Sequence, residues 1–325
     1  MPLTRQQRRA IDRAVRRRPD FKPPRRPFVL WLVGVVVLAA GWATWDWYRH
    51  ATPIRDGSPN WSPDGRFIVY YSERRGAAAD LYLMDDKGEE IRQLTWTPAA
   101  DEGSPAFSPD GEHIAFDTDR DRNFEIYVMT KTGQNQRRLT NNQARDLSPT
   151  WSPDGRKIVF MSDRDARPKF DLYRMNTDGS GVERLTTSES NWFPQFSPDG
   201  RKLALHVWND VHVMDLATRT LTPLTREPTN GMHPTWSPRG DKLAFMTWRN
   251  GPTELFTMNL DGTDQQRVVT MPHGSVIDPR WSPKSDRLVF VHVPEENVRE
   301  EQSPTQQRVI YLAELGTGKL TRLSR

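Results

Sequence analysis

The sequence predicts an all-β protein: a six-bladed β-propeller of four-stranded antiparallel blades, preceded by one N-terminal transmembrane helix. Two observations support this. A sequence motif recurs six times. It consists of proline, any residue, Trp or Phe, Ser-Pro, a turn and then a short stretch of alternating or continuous apolar residues. Separately, an uncharged run of eighteen residues, 28–45, follows a basic N-terminus. The regular repeat determines the architecture, whereas a specific activity depends on deviations from it.

The basic tail and the apolar run predict a single-pass membrane anchor. Residues 1–27 carry ten basic and two acidic side chains, a bias that keeps the N-terminus in the cytoplasm. A helix over residues 28–45 would be about 27 Å long, close to the ~30 Å hydrocarbon core. Interfacial aromatic residues cluster at its far end: Trp42, Trp45, Trp47 and Tyr48. The propeller is therefore expected outside the cytoplasmic membrane, in the periplasm or beyond.

The expected organisation is a basic cytoplasmic tail (1–27), a transmembrane signal anchor (28–48), a linker (49–56) and the propeller (57–325). Two other interpretations of the apolar run stay open. A cleaved signal peptide fits its thirteen-residue apolar stretch, 28–40, and the small residues Gly41 and Ala43. A buried core helix is disfavoured because no other part of the chain has a helical pattern to surround it.

Each repeat contains four short extended segments, which predicts one blade. In the third copy they cover 149–151, 157–162, 171–175 and 183–186. The Ser-Pro-Asp-Gly sequence favours a turn because proline fixes φ, the aspartate side chain hydrogen-bonds to nearby backbone and glycine readily adopts positive φ. The repeat period of 40 to 46 residues is typical of propeller blades. Blades are expected to start near residues 57, 103, 147, 192, 232 and 277.

The repeat also predicts how blades pack and how the ring closes. The first repeat begins with its innermost strand and the last ends with its outermost strand. The ring should therefore close by face packing between the first and sixth blades, without strand exchange. The aromatic residue of each first strand is expected to pack between neighbouring blades: Trp61, Phe107, Trp151, Phe196, Trp236 and Trp281.

Composition excludes several classes of function. The chain has no cysteine, which rules out disulfides, thiolate metal sites and thiol catalysis. Residues 28–325 carry a net charge of −4, so a nucleic-acid partner is disfavoured.

No metal or cofactor is expected. Asp117, Asp119 and Asp121 resemble the start of a calcium loop, but Arg122 and Val128 replace its glycine and its final glutamate. The histidines show no metal-ligand spacing. The insertion at 294–307 is expected to be a surface loop.

In each repeat the motif is followed by segments such as Ser-Asp-Arg-Asp, Ile-Tyr-x-Met and Arg-Leu-Thr. The whole pattern resembles the repeats of TolB-like six-bladed propellers, relatives of the WD-repeat families. The resemblance covers residues 57–325. It implies a periplasmic protein that binds a lipoprotein in the Tol-Pal system, although the α/β domain that precedes those propellers has no counterpart here. Similar propellers cap prolyl oligopeptidases, whose hydrolase domain carries Gly-x-Ser-x-Gly. That string is absent here, so peptidase activity is disfavoured.

The repeats differ at two positions that are expected to lie on loops of one face. The residue three before each aromatic reads Ser58, Ser104, Ser148, Phe193, His233 and Asp278. The position after the second strand reads Glu73, Asp119, Asp163, Trp208, Trp248 and Val293. This face should therefore have an acidic half, from blades one to three, and an aromatic half.

The aromatic half is the predicted binding surface: Trp192, Phe193, Trp208, Met232, His233, Trp248 and Asp278. Aromatic residues and Met on a rigid rim are typical of interfaces, although these side chains would alternatively only cover their own hairpins. The predicted function is a non-enzymatic, membrane-anchored scaffold for an extracytoplasmic protein or lipoprotein. The alternatives are an accessory subunit of a membrane complex, contacted through small residues of the helix, and a propeller lyase or hydrolase with a channel metal.

Overall fold

The computed structural model describes residues 54–74, 77–165, 167–187, 190–271, 273–294 and 307–324. The predicted anchor at 28–48, the basic tail and most of the 294–307 insertion lie outside these ranges. Within them, no helix has both the length and the apolar character needed to cross a membrane.

The described residues form six four-stranded antiparallel sheets, each built from strands in sequence order. The predicted number of blades and of strands in each blade is therefore confirmed. Blades one to three contain β1 (Arg55–Trp61), β2 (Phe67–Glu73), β3 (Asp80–Asp85), β4 (Arg92–Gln93); β5 (Glu102–Phe107), β6 (His113–Thr118), β7 (Glu125–Thr130), β8 (Arg137–Arg138); β9 (Asp146–Trp151), β10 (Lys157–Ser162), β11 (Asp171–Asn176) and β12 (Glu183–Arg184). Blades four to six contain β13 (Asn191–Phe196), β14 (Lys202–Val207), β15 (Asp210–Asp215), β16 (Leu221–Pro223); β17 (Met232–Trp236), β18 (Lys242–Thr247), β19 (Glu254–Asn259), β20 (Gln266–Val269); β21 (Ser275–Trp281), β22 (Arg287–Val293), β23 (Val309–Glu314) and β24 (Leu320–Arg322).

The Ser-Pro-Asp-Gly turn fixes the first hairpin of a blade through local hydrogen bonds. In blade three the Ser152 hydroxyl donates to Asp154 Oδ1 at 2.5 Å and accepts from the Lys157 amide at 2.9 Å. Gly155 has φ of 70°, and its amide donates to the Ser152 carbonyl at 2.8 Å. The turn therefore sets the register in which β9 pairs with β10.

The core lies between blades. The aromatic residue at the end of each first strand packs with apolar residues of the preceding blade, and Trp61 of blade one packs against blade six. Two of these indoles also bridge blades, since Trp151 Nε1 donates to the Ala106 carbonyl at 3.1 Å and Trp281 Nε1 donates to the Thr235 carbonyl at 3.2 Å.

The ring closes without strand exchange, as the order of the repeats predicts. A backbone amide near the start of each first strand donates to the carbonyl just before the third strand of the preceding blade. The pairs are Glu102 to Ala79, Asp146 to Phe124, Asn191 to Phe170, Gly231 to Asn209, Val276 to Thr253 and Asp56 to Arg308, at 2.7 to 3.3 Å. The closing pair, from Asp56, thus repeats the bond that links every other pair of neighbours.

Candidate functional site

Each first strand carries a bulge that directs one residue into the central channel. The bulge residue precedes a proline and has a left-handed φ between 45° and 53°. The six bulge residues are Ser58, Ser104, Ser148, Phe193, His233 and Asp278. They lie within the first strands, which corrects the expectation that these positions are on loops. A left-handed conformation costs a residue with a side chain about 1–2 kcal/mol, so the surrounding fold must hold all six in place.

The channel half from blades one to three is small and polar. The Ser104 and Ser148 hydroxyl oxygens are 3.4 Å apart, and the Ser148 amide donates to Asp117 Oδ2 at 2.8 Å. Burial raises the pKa of Asp117 to about 6, although the Ser148 amide and the Ser104 hydroxyl oppose the increase. Asp117 is thus a buried carboxylate without a cationic partner among the described residues.

The channel half from blades four to six is a connected group of large side chains. The rings of Phe193 and His233 are 3.7 Å apart between centroids, and His233 Nδ1 is 2.8 Å from Asp278 Oδ1. Asp278 Oδ2 accepts the Ser58 amide at 3.2 Å. Burial alone would raise the pKa of Asp278, but His233, Arg280 and the Ser58 amide together lower it to about 2. Contacts through Asp278 therefore link blades five, six and one.

His206 extends this group, and its role could not be read from the sequence. Its ring is nearly parallel to Phe193, at 6° and 6.3 Å, and its Nε2 lies 2.7 Å from the Trp208 carbonyl oxygen. Burial, followed by the proximity of His233, lowers the pKa of His206 to about 4, so the ring is neutral at pH 7. The only sequence signal is its position in the repeat: His206 follows Leu205 in blade four as Asp117 follows Phe116 in blade two.

The remaining predicted residues lie at different depths. Trp192 packs on Phe170 with ring centroids 4.9 Å apart, and Met232 pairs with Met246 across the strands. Trp208 is 66% exposed, while Trp248 is partly buried. The structure thus brings together Phe193, His233 and Asp278, whereas the ring contacts of the described residues do not extend to Trp208 or Trp248.

Trp208 occupies the tip of a tight hairpin. Val207 pairs with Asp210, which leaves Trp208 and Asn209 as a two-residue connection between β14 and β15. Trp208 has φ of 57°, a conformation that glycine usually adopts in such turns. The indole is therefore held in solvent by a strained backbone.

The acidic half of the face is engaged in structural contacts. Glu73 pairs with Arg55 at 3.2 Å, Asp119 accepts the Asp101 amide at 2.8 Å, and Asp163 binds the Arg145 amide and guanidinium at 2.8 and 2.9 Å. Each acid thus stabilises the start of its own blade, or the loop that leads into it, through these contacts.

The three aspartates that resemble a calcium loop have separate partners. Asp117 binds Ser148, Asp119 binds the Asp101 amide, and Asp121 accepts the Tyr127 hydroxyl at 2.5 Å. Across the part of the chain that the structure describes, no three His, Asp or Glu side chains are grouped to hold a metal ion.

The comparisons with known proteins agree with the propeller fold. A family model described as the TolB beta propeller domain matches residues 97–206 and 188–314. The Tol-Pal system protein TolB of Francisella tularensis is 29% identical over 228 residues, which cover 68% of this chain and 52% of that protein. The crystal structure of TolB from Acinetobacter baumannii aligns with a TM-score of 0.63 and 29% identity, covering 70% of this chain and 57% of that one. This chain thus spans about half the length of these TolB relatives.

An enzyme shares the fold at lower identity. The structure of an oligogalacturonate lyase in complex with manganese aligns with a TM-score of 0.59, covering 84% of this chain and 78% of that one. Its identity of 13% shows a shared fold alone.

Proposed function

Because this chain belongs to the TolB beta propeller domain family, we propose that it is a non-enzymatic binding scaffold. In this proposal residues 28–45 hold it in the cytoplasmic membrane, and the propeller binds a protein or lipoprotein outside the cytoplasm. The partner docks on the end of the propeller that carries Trp208 and Trp248, here named the Trp208 face.

The observation that carries the proposal is the conformation of Trp208. Its side chain is 66% exposed at a hairpin tip where φ is 57°. Packing in the core does not explain why a tryptophan occupies this position, because most of its indole is exposed to solvent. Strained backbone concentrates at binding sites, and tryptophan is enriched among the residues that dominate interface energies.

The neighbouring blade supports the same surface. Trp248 follows β18 as Trp208 follows β14, so both loops lie at the same end of the strands. Loops carried on a rigid scaffold are the usual location of binding residues. The closed ring, with the same interblade bond at all six junctions, provides that scaffold.

Site-specific crosslinking in intact cells tests the proposal. A photoreactive aromatic amino acid, whose ring takes the place of the indole, is placed at position 208 or 248, and at position 201 as a matched control. Arg201 is exposed and lies in the turn between β13 and β14, at the opposite end of the strands from Trp208. We expect a discrete adduct from positions 208 and 248, and none from position 201.

Three outcomes would count against the proposal. Equal adducts from all three positions would show that the Trp208 face has no special role. A large loss of thermal stability in the W208A/W248A variant would show that the indoles only cover their hairpins. If elemental analysis of the purified protein found one transition metal per chain, the enzymatic alternative would be favoured.

A further inference from the structure

When the six blades are compared, one repeat position at the channel is charged in blade six alone. The residue just before the conserved aromatic is Arg280 in blade six. The corresponding residues of the other blades are all uncharged: Asn60, Ala106, Thr150, Gln195 and Thr235. Formation of the blade therefore does not require an arginine at this position.

The Arg280 side chain lines the channel and is partly buried. It lines a central cavity of about 30 Å³, together with Asp278 and the three bulge serines of blades one to three. Burial lowers the pKa of Arg280, and the charge of Asp278 opposes that only in part. A guanidinium remains charged in proteins, so the cavity contains a permanent positive charge.

The donors of Arg280 are largely unused within the described chain. Its Nη1 donates to the carbonyl of the adjacent Pro279 at 2.9 Å, and its Nε is buried without a hydrogen-bond partner. A buried cation that lacks a hydrogen-bonded counter-charge is strongly unfavourable. Such a group points to a ligand that accepts hydrogen bonds and carries negative charge.

Asp278 does not supply that counter-charge at contact distance. Its Oδ1 faces His233 Nδ1 at 2.8 Å, and its Oδ2 accepts the Ser58 amide at 3.2 Å. Among the described residues, no carboxylate forms an ion pair with Arg280. The cavity lining also contains the hydroxyls of Ser58, Ser104 and Ser148. The Ser58 hydroxyl lies 3.5 Å from Asp278 Oδ2, and those of Ser104 and Ser148 lie 3.4 Å apart.

We propose that the channel contains a binding site for one small monovalent anion of halide size, held by Arg280. The cavity limits the size of the ligand, because 30 Å³ holds one or two particles as large as a water molecule. A cavity of this size favours a small ion over sulfate, phosphate and organic acids. The site lies inside the ring and is independent of docking at the Trp208 face.

Thermal unfolding of the full chain in detergent tests the site. Melting temperature is measured in sodium gluconate and in sodium chloride or bromide at equal ionic strength. Gluconate does not fit the cavity, so we expect halide to raise the melting temperature by about 2–4 °C. R280M should lose this increase, whereas R201M, at an exposed turn residue, should keep it.

Two results would overturn the proposal: equal melting temperatures of the wild type in halide and gluconate, or an undiminished halide effect in R280M. Diffraction from crystals grown in bromide provides a direct measurement that requires no variant. An anomalous peak beside Arg280 is expected. A channel that contains only water would show none, and would refute the site.

Discussion

His233 and Asp278 contact each other in the channel, with Nδ1 and Oδ1 2.8 Å apart. The contact joins blades five and six, and the second oxygen of Asp278 reaches the Ser58 amide of blade one at 3.2 Å. The opposite half contains Asp117, a carboxylate with no cation beside it among the described residues. The pKa values of these two acids are therefore shifted in opposite directions.

Asp278 should stabilise the fold at neutral pH and lose that contribution in acid. Its pKa is about 2 in the folded protein, below its ordinary value of 3.8. The stabilisation of about 2 kcal/mol is thus fully present above pH 4 and is lost as the pH falls towards 2. Urea unfolding of wild type and D278N should show a difference in free energy that shrinks across this window. A constant difference down to pH 2 would contradict the assignment.

Asp117 should have the reverse effect. Its pKa is raised from 3.8 to about 6, so the fold favours the protonated acid. The stability that this preference provides is present below pH 4 and is lost as the pH rises to 6, at a cost of about 3 kcal/mol. The side chain introduced by D117N is uncharged at every pH, and its oxygen can still accept the hydrogen bond from the Ser148 amide. Its free energy of unfolding, relative to wild type, should therefore rise between pH 4 and 6, and the absence of a rise would refute the shift.

The blades could be predicted because every local signal in the repeat agrees. The turn residues, the apolar alternation and the closing aromatic all specify the same hairpin. The bulges could not be predicted, since Ser58, Ser104 and Phe193 are not residue types that signal positive φ. The sequence predicted an acidic half of this face but not the partners of its acids, such as Arg145, which binds Asp163. Such pairings depend on which loops meet in space, and the repeat pattern does not encode that.

Gly57 should be intolerant of any side chain because of Tyr71. A Cβ at Gly57 would lie 2.2 Å from Tyr71 Cζ, and Arg308 Nη1 holds the Tyr71 hydroxyl at 3.0 Å. The ring is therefore not free to move aside. We expect G57A to lower the free energy of unfolding by about 2–3 kcal/mol.

A double-mutant cycle identifies the cause of that loss. Y71V removes the ring that would clash, so G57A should cost far less in the Y71V background than in wild type. Chemical denaturation of the four proteins measures the coupling. Additive losses would mean that the clash with Tyr71 is not the cause.

Trp208 allows its binding role to be separated from its role in the fold. With φ of 57°, glycine at this position should remove a conformational cost and raise the free energy of unfolding by about 1 kcal/mol. W208A retains the unfavourable conformation and removes only an indole that is 66% exposed, so its stability should match that of wild type. Both variants should lose partner crosslinking at position 248, because both lack the side chain that we assign to docking. If instead W208G were less stable than wild type, the indole would be packing against its hairpin, and the strain at this tip would serve the fold alone.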